Sequence, residues 1–374
     1  MKRNTLTIVP FFLFASFLIN QVMNQPQKSE TGALQFDGPH VLYKNDSIFV
    51  KYVFNNGGSK SIHIDSFLLK QRPALSLKVA TDIPGETFTV TLKKQLQVEK
   101  SVFPKADKQL VISDIEANFK AFRKLLLVNK VIDENFNWIF GKGYLILTGD
   151  FVDRGDQQTE VLWLIYALEE KAKAAGGYVH YVLGNHEVMN MDNDLRYVHP
   201  KYFETAALIG ENYLNLYSEN SELGRWLRTK NVAQSIGGIL YVHGGISQAV
   251  NRINLPVQDI NKLTRPYFGD TNYIYSDPIV DTLYSDLGPF WYRGYYAGTN
   301  RASKEQVDSS LSLFGVKKII TGHTIIADTI SVLFSGKVLN VDVKHAMGHS
   351  EALLIENKKF YRVTDQGERF QINN

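Results

Sequence analysis

The chain has 374 residues, of which 44% are hydrophobic and 21% are charged, which is ordinary for a globular protein with a large core. Its formal net charge is +3 and no basic stripe is present, so nucleic-acid binding has no support. Cysteine is absent, which excludes disulfides, thiolate metal sites, a cysteine nucleophile and a lipidated cysteine anchor.

The N-terminal segment has the pattern of an export signal. Lys2 and Arg3 precede an apolar stretch at residues 6–19, and a Gln- and Asn-rich stretch follows it. The apolar stretch is shorter than the roughly 20 residues that a membrane-spanning helix needs. Residues 1–25 are therefore predicted to be a signal peptide or a membrane anchor. The protein is expected to be exported, and to be either periplasmic or tethered to the membrane by this segment and facing the periplasm.

Residues 30–105 are predicted to form a small β-rich accessory module. Residues 47–54 alternate between apolar and polar side chains, and an Asn-Asn-Gly-Gly turn signal follows them. Residues 61–69 are the expected partner strand of this hairpin. Further strands are predicted at residues 87–91 and 96–102. This part of the chain contains no group of residues that suggests catalysis.

Residues 106–374 are predicted to form the main domain, because strand-like and helical segments alternate there, which is typical of a layered α/β fold. Residues 118–128 place apolar side chains on one face of a helix. A stronger helix is predicted at residues 158–175, with Glu169 and the charged side chains that follow it exposed to solvent.

Five apolar runs of strand length in this domain each end in residues that can bind a metal ion. The run at residues 144–147 leads to Asp150, Asp153 and Arg154. The other four runs lead to Asp114 and Glu116, to Asn185 and His186, to His243, and to His323. Sites in open α/β sheets form at the carboxyl ends of the strands. Acidic groups crowded there repel one another unless cations compensate, so the pattern predicts a metal centre.

The ligand types favour two metal ions. Asp114 and Glu116 lie two residues apart, so in extended backbone both can reach one ion. Asp150 can bridge two ions through its two oxygens. The amide of Asn185 and the imidazoles of His243 and His323 suit a second ion such as zinc, iron or manganese. Two ions about 4 Å apart can clamp a phosphate and lower the pKa of a shared water.

Five motifs, in chain order, resemble the calcineurin-like metallophosphoesterase superfamily. They are Ser-Asp-Ile-Glu-Ala-Asn, Gly-Asp-Phe-Val-Asp-Arg-Gly, Gly-Asn-His-Glu, His-Gly-Gly and Gly-His-Thr. The second is the hallmark of the phosphoprotein phosphatase branch. Further segments are similar to bacterial Shewanella-like phosphatases, at residues 184–191, 195–198, 226–227, 241–247 and 289–294. The resemblance covers about residues 108–358 and leaves out the β-rich module.

The resemblance implies a four-layer α/β/β/α sandwich that hydrolyses phosphomonoesters on phosphorylated proteins or peptides, with attack by a hydroxide that bridges two metal ions. It assigns Asp114 and Asp150 to the first ion, and Asp150, Asn185, His243 and His323 to the second. His186 is the implied general acid, which Asp153 holds in position. Arg154 and Arg293 are implied to grip the phosphate. Arg293 could instead stack on its aromatic neighbours.

The first motif departs from the family pattern, Gly-Asp-x-His-Gly. Ser113 and Ala117 replace the glycines, and Glu116 replaces the histidine. A carboxylate makes the first site harder and more anionic, which favours manganese, magnesium or calcium there. The expected cofactors are therefore two divalent ions, manganese first, with iron and zinc as alternatives.

Two other functions stay open at this point. One is hydrolysis of nucleotides or dinucleoside polyphosphates by the same fold. The other is a non-catalytic phosphate-binding module that has lost activity through the Glu116 change, although retention of His186, Asp153 and Arg154 argues against it. Asp342, near the end of another strand-like run, is a weaker candidate for a substrate contact.

Overall fold

Two six-stranded β-sheets lie face to face at the centre of the structure, a computed structural model that describes residues 34–373. The strands are β1 (Leu34–Lys44), β2 (Ser47–Asn56), β3 (Ser59–Leu68), β4 (Ser76–Ala80), β5 (Thr87–Thr91), β6 (Val102–Phe103), β7 (Lys108–Ile112), β8 (Tyr144–Thr148), β9 (Tyr178–Val182), β10 (Ala233–Ile236), β11 (Ile239–Val242), β12 (Lys318–Thr321), β13 (Ser331–Leu333), β14 (Val338–Asn340), β15 (Glu351–Glu356), β16 (Lys359–Thr364) and β17 (Arg369–Ile372). The helices are α1 (Phe119–Val128), α2 (Gln158–Ala174), α3 (Asn185–Asp192), α4 (Pro200–Leu208), α5 (Glu222–Leu227), α6 (Gln248–Ile253), α7 (Val257–Thr264), α8 (Pro278–Tyr284) and α9 (Lys304–Phe314).

The first sheet has the order β17-β16-β15-β7-β8-β9, and the second has the order β13-β14-β12-β11-β10-β6. Side chains such as Val111, Ile146 and Leu339 fill the space between them. Helices α1 and α2 cover the outer face of the first sheet, and α6 to α9 cover the outer face of the second. This arrangement confirms the predicted four-layer α/β/β/α sandwich.

The N-terminal β-rich region consists of the antiparallel sheet β1-β2-β3 and the hairpin β4-β5. The predicted hairpin at β2 and β3 and the predicted strand at β5 are confirmed. The predicted strand at residues 96–102 is wrong, because only Val102 belongs to a strand, β6, which pairs with β10 of the second sheet. The residues before Val102 form single hydrogen bonds to the segment after α5 instead of a strand ladder. Glu99 N donates to Thr229 O at 3.0 Å, and Lys100 O accepts from the Asn231 amide at 2.8 Å.

The β-rich region and the sandwich share one apolar core. Val50, Val79 and Phe88 of the region belong to the same buried cluster as the side chains of α1 and α2. The Phe88 ring stacks on Phe119 of α1 with 6.0 Å between centroids, and Trp163 Nε1 of α2 donates to Pro39 O at 2.9 Å. The division of the chain at residue 105 stays a prediction, and both parts contribute to this core.

Helices α1 and α2 lie close to their predicted bounds. The Asn118 side chain accepts a hydrogen bond from Ala121 N at 3.0 Å and so caps the start of α1. The prediction that Glu169 of α2 is exposed is wrong, since only 4% of Glu169 is accessible. Helix α2 lies between the first sheet and the β-rich region, so it has almost no solvent-facing side, and Lys93 and Lys230 neutralise Glu169.

Within residues 34–373, none of the helices is both long enough and apolar enough to cross a membrane. The segment at residues 1–25, predicted to be a signal peptide or anchor, lies outside the described residues.

Candidate metal centre

Apart from Arg293, the predicted site residues directly follow β7, β8, β9, β11 and β12, either in loops or at the start of α3, where the carboxyl ends of parallel strands from both sheets meet. The backbone of these loops is unusual. A left-handed φ, between 51° and 69°, occurs at six of the predicted site residues: Asp114, Glu116, Asp150, Asp153, Arg154 and His323. Such conformations cost about 1–3 kcal/mol each and persist only where surrounding contacts enforce them. They turn several polar side chains towards one point.

Two glycines let the loops approach one another closely. A Cβ atom on Gly184 would lie 2.2 Å from Asp150 Oδ1, and one on Gly322 would lie 2.3 Å from Asp114 Oδ2. Any side chain at either position would therefore displace a carboxylate of the site.

Four of the predicted ligands converge on one position. His243 Nε2 lies 3.1 Å from Asp150 Oδ2, 3.0 Å from Asn185 Oδ1 and 3.1 Å from His323 Nδ1. The ligand atoms of Asp150, His243 and His323 all lie within 4.8 Å of one another, and all three residues are buried. The spacing and the mixture of oxygen and nitrogen donors fit a divalent transition-metal ion.

The outer hydrogen bonds of the two histidines support this assignment. His243 Nδ1 donates to Thr148 O at 2.7 Å, and His323 Nε2 donates to Trp291 O at 3.1 Å. Each ring therefore presents the lone pair of its other nitrogen to the shared position. Metal-binding histidines are held by outer hydrogen bonds of this kind. Lone pairs that face one another at this distance repel, and a bound cation removes that repulsion.

A second group of carboxylates lies beside the first. Asp114 accepts from His323 N at 3.0 Å, and burial, with a contribution from Asp150, raises the pKa of Asp114 to about 7. Asp342 is 4% exposed, and its Oδ1 has no hydrogen-bond partner among the described residues. The charges of Asp114, Glu116 and Asp150 all act on Asp342. Buried carboxylates at this density fit a second cation.

The structure does not bring Glu116 into the cluster of converging ligands. Its carboxylate forms an ion pair with the Arg154 guanidinium. The assignment of Glu116 to the first metal ion therefore stays a prediction, and Glu116 reaches the arginine implied in phosphate binding.

The His186 side chain, which is predicted to be the proton donor, lies at the edge of the converging ligands. His186 Nδ1 is 2.6 Å from Asp153 Oδ2, and Asp153 Oδ1 accepts from the Asn190 amide at 2.8 Å. The opposite nitrogen, Nε2, lies 3.8 Å from Asp150 Oδ2, at the edge of the metal cluster. Burial lowers the pKa of His186, but the charge of Asp150 and the hydrogen bond to Asp153 outweigh it, so the pKa is raised.

The two predicted phosphate-binding arginines flank this cluster. Arg154 Nη2 lies 3.3 Å from His186 Nε2. Arg293 is exposed, and its Nη1 donates to His323 O and to Thr324 Oγ1, the latter at 3.0 Å. Because the loop of the predicted ligand His323 holds Arg293, the guanidinium stays beside the site instead of stacking on its aromatic neighbours.

Sequence analysis missed the role of Glu187. Its buried carboxylate accepts from Asp150 N at 2.9 Å, from Phe151 N at 2.7 Å and from Gly184 N at 2.7 Å, so it ties the β8 loop to the start of α3. A glutamate three residues after a helix N-cap is a recognisable capping signal. Asp342 follows the end of β14, just as Asp114 and Asp150 follow the ends of their strands. The same pattern of an apolar run followed by a carboxylate could therefore have identified Asp342 as a site residue.

Comparisons with known proteins find related phosphoesterases and phosphatases. The calcineurin-like phosphoesterase family model matches residues 108–327, which is more than half of the chain. The crystal structure of a cold-active protein-tyrosine phosphatase from a psychrophilic Shewanella species is 32% identical, with a TM-score of 0.79, and the match covers 90% of this chain and 99% of that one.

Two curated relatives match more distantly. Shewanella-like protein phosphatase 2 of Arabidopsis thaliana is 23% identical, and the match covers 69% of this chain and 76% of the relative. Serine/threonine-protein phosphatase 5 of Rattus norvegicus is 28% identical, and the match covers 59% of this chain and 39% of the relative. These matches confirm the resemblance that the five motifs indicate. The chain is a metal-dependent phosphatase, and it belongs to the calcineurin-like phosphoesterase family.

Proposed function

We propose that this protein removes phosphate from phosphorylated proteins or peptides, with phosphotyrosine as the preferred residue. The observation that carries the reaction class is the convergence of Asp150, Asn185, His243 and His323 beside the His186–Asp153 pair. The preference for tyrosine is supported by the cold-active protein-tyrosine phosphatase of Shewanella, whose structure matches this chain over 90% of its length. The serine/threonine phosphatase matches a smaller part of the chain.

The residues of the chain have separate parts in this reaction. Two divalent ions bound by the carboxylates and histidines would polarise the phosphate and lower the pKa of an attacking water. Arg154 and Arg293 provide guanidinium groups on two sides of the phosphate, where paired N–H donors match its oxygens. His186 holds a proton on the side where the alkoxide or phenoxide leaves, and Asp153 fixes the ring that donates it.

We propose manganese as the preferred ion, with iron or zinc as alternatives at the mixed nitrogen and oxygen site. The support is the number of carboxylates, since oxygen ligands favour harder ions. In a protein stripped of metal, manganese is expected to restore the highest turnover. Glu116→His should shift the optimum towards zinc if Glu116 binds the first ion. An unchanged metal ranking would instead leave Glu116 as a partner of Arg154 alone.

The test of the reaction uses residues 27–374, an aryl phosphate, matched phosphotyrosine, phosphoserine and phosphothreonine peptides, and a dinucleoside polyphosphate. Asp150→Asn removes the shared ligand and should abolish metal-dependent turnover, whereas Asp308→Asn on the exposed face of α9 should leave it unchanged. Faster cleavage of phosphotyrosine peptides supports the proposal. Cleavage of the dinucleoside polyphosphate but of no peptide would replace it with nucleotide hydrolysis.

We also propose that residues 1–25 export the protein to the periplasm, where it is released or stays tethered. The support is the basic start and apolar stretch of that segment. Cell fractionation and the mass of the mature N-terminus test this proposal. Retention of the full chain in the cytoplasm would contradict it.

A further inference from the structure

A cavity of about 420 Å³ lies beside the metal centre. Its walls come from α3 and α8, each with the residues that follow it, and from the loop between α7 and α8. Four aromatic rings line it, at Tyr273, Tyr275, Tyr284 and Trp291. Four aspartates also line it, at positions 192, 194, 281 and 286. Its volume is within the range of ligand-binding pockets.

The cavity adjoins the residues that hold the metal. Trp291, in the cavity wall, accepts the hydrogen bond of His323 Nε2 through its carbonyl oxygen at 3.1 Å. Helix α3 begins with Asn185 and His186 at the metal centre and presents Val188, Met189 and Asp192 to the cavity. A substrate whose phosphate lies at the metal centre therefore has this cavity next to the phosphorylated residue.

The charge of the cavity is negative. Of the four carboxylates, Asp194 is paired with Arg196 at 2.7 Å, and the buried Asp192 accepts from Gly269 N at 2.6 Å. Asp281 and Asp286 are exposed, and no lysine or arginine in residues 34–373 forms an ion pair with either. Two carboxylates are thus available to a ligand at the mouth of the cavity.

The aromatic walls suit the same kind of ligand. The Tyr275 and Tyr284 rings stack with centroids 4.6 Å apart, and the hydroxyl of Tyr273 donates to Asp192 O, which fixes that ring against α3. Faces of aromatic rings attract cations, and they also cover the methylene groups of lysine and arginine side chains. An anionic group, such as the remainder of a polyphosphate, would meet carboxylates and ring faces here, and the one guanidinium in the lining, that of Arg196, is already bound by Asp194.

We propose that this cavity is a specificity subsite that receives a lysine or arginine side chain next to the phosphorylated residue of a peptide substrate. The inference rests on the proposed function, since it supposes a phosphopeptide at the metal centre. It narrows the substrate class to phosphorylated segments with a basic residue close in sequence. Asp281 and Asp286 would neutralise that side chain, and the tyrosines would enclose its stem.

The experiment uses one phosphotyrosine peptide in which each of the three positions on either side of the phosphorylated residue is changed in turn to lysine, glutamine or glutamate. The value of kcat/KM is measured for the wild type, for Asp281→Asn combined with Asp286→Asn, and for Asp308→Asn. The ratio between the lysine and glutamine peptides cancels any general loss of turnover in a variant. Hydrolysis of an aryl phosphate, which has no flanking residues, reports the chemical step alone.

We expect lysine to raise kcat/KM about fivefold at one or two positions, mainly through KM, which is the size of effect that partly exposed charges and a cation–π contact give. The ratio of kcat/KM between the lysine and glutamine peptides should fall close to one in the double variant. In Asp308→Asn it should stay at the wild-type value. Equal ratios in the wild type and the double variant would overturn the subsite while leaving the proposed function intact. Aryl phosphate hydrolysis without cleavage of any peptide would overturn both.

Discussion

The two nitrogens of His186 have different surroundings, which suits a proton donor. Nδ1 is fixed by Asp153 at 2.6 Å, and Asn190 in turn orients Asp153. Nε2 points towards the metal cluster and the Arg154 guanidinium. Because the ring cannot rotate without breaking the Asp153 bond, its proton stays directed at the place where a leaving oxygen would develop charge.

His186→Gln is expected to lower kcat about 100-fold on phosphoserine peptides, whose alkoxide leaving group needs a proton. The loss should be much smaller on an aryl phosphate with an electron-poor phenol, because that group leaves readily without one. Steady-state kinetics on the two substrates checks this. His63→Gln, at a half-exposed histidine of β3, serves as the control. Equal losses on both substrates would contradict the role of proton donor.

Asp192 gives the folded protein a pH dependence that can be measured. Burial raises its pKa to about 8, against an ordinary value of 3.8. The folded state therefore keeps a proton that the unfolded chain releases, so the free energy of unfolding should fall as pH rises from about 4 to about 8. Each unit of pKa shift corresponds to about 1.4 kcal/mol.

The stability of Asp192→Asn, which mimics the protonated group, should rise relative to the wild type by about 2 kcal/mol or more between pH 5 and pH 8.5. Urea unfolding at the two pH values measures this. Asp308→Asn should have the same free energy of unfolding as the wild type at both pH values. A constant difference between Asp192→Asn and the wild type would show that the carboxyl group is ionised throughout.

Several site residues could be predicted from the sequence because an apolar run followed by a polar residue fixes the end of a strand. Asp150, Asn185 and His243 are of this kind. The ion pair between Glu116 and Arg154 could not be predicted, since it depends on left-handed backbone at both residues. Whether Glu116 contacts a metal or an arginine is a matter of side-chain direction, which sequence spacing does not determine.

Helix α2 shows how packing overrides a pattern of charged residues. Its charged positions from Glu169 onward were expected to face solvent, and Glu170 and Lys173 do, but Glu169 is buried beside the β-rich region. Glu169 then lies between Lys93 of the β-rich region and Lys230, and it also accepts from Trp226 Nε1 at 3.1 Å. One carboxylate thus links the β-rich region, α2 and the residues that follow α5.

Glu169→Gln should lower the free energy of unfolding by about 3–5 kcal/mol, because it leaves buried lysine charges without their shared partner. Glu170→Gln, at the adjacent half-exposed residue, should cost less than about 1 kcal/mol. Urea unfolding of the three proteins provides the comparison. Similar losses for both variants would mean that the buried cluster contributes little to stability.

At the scale of the whole molecule, alternating strands and helices after residue 106 predicted a layered α/β fold, and the family resemblance implied the four-layer sandwich. The packing of the N-terminal β-rich region was harder to predict from the sequence. Its strands β2 and β5 could be predicted from local alternation, but their contact with α1 and α2 depends on residues far apart in sequence. The short strand β6 is likewise defined only by its partner, β10.

This shared core predicts that the β-rich region and the sandwich unfold together. Phe88 of β5 is 3% exposed, and its ring lies 6.0 Å from Phe119 and 5.1 Å from Phe136. Phe88→Ala should therefore cost the whole protein about 3–5 kcal/mol, and phosphatase activity should disappear in the same transition as structure. Ile64→Ala, at a half-exposed residue of β3, should change stability little.

Hydrogen exchange at increasing denaturant concentration distinguishes joint from separate unfolding. Amides of β4 and β5 and those of β7 to β9 should lose protection at the same concentration, and in Phe88→Ala both should shift by the same amount. Early exchange in β4 and β5 while β7 to β9 and activity persist would identify the β-rich region as an independent unit. Joint loss would instead make it a structural part of the catalytic fold, since the same apolar cluster supports α1 and α2 against the sheet that carries Asp114 and Asp150.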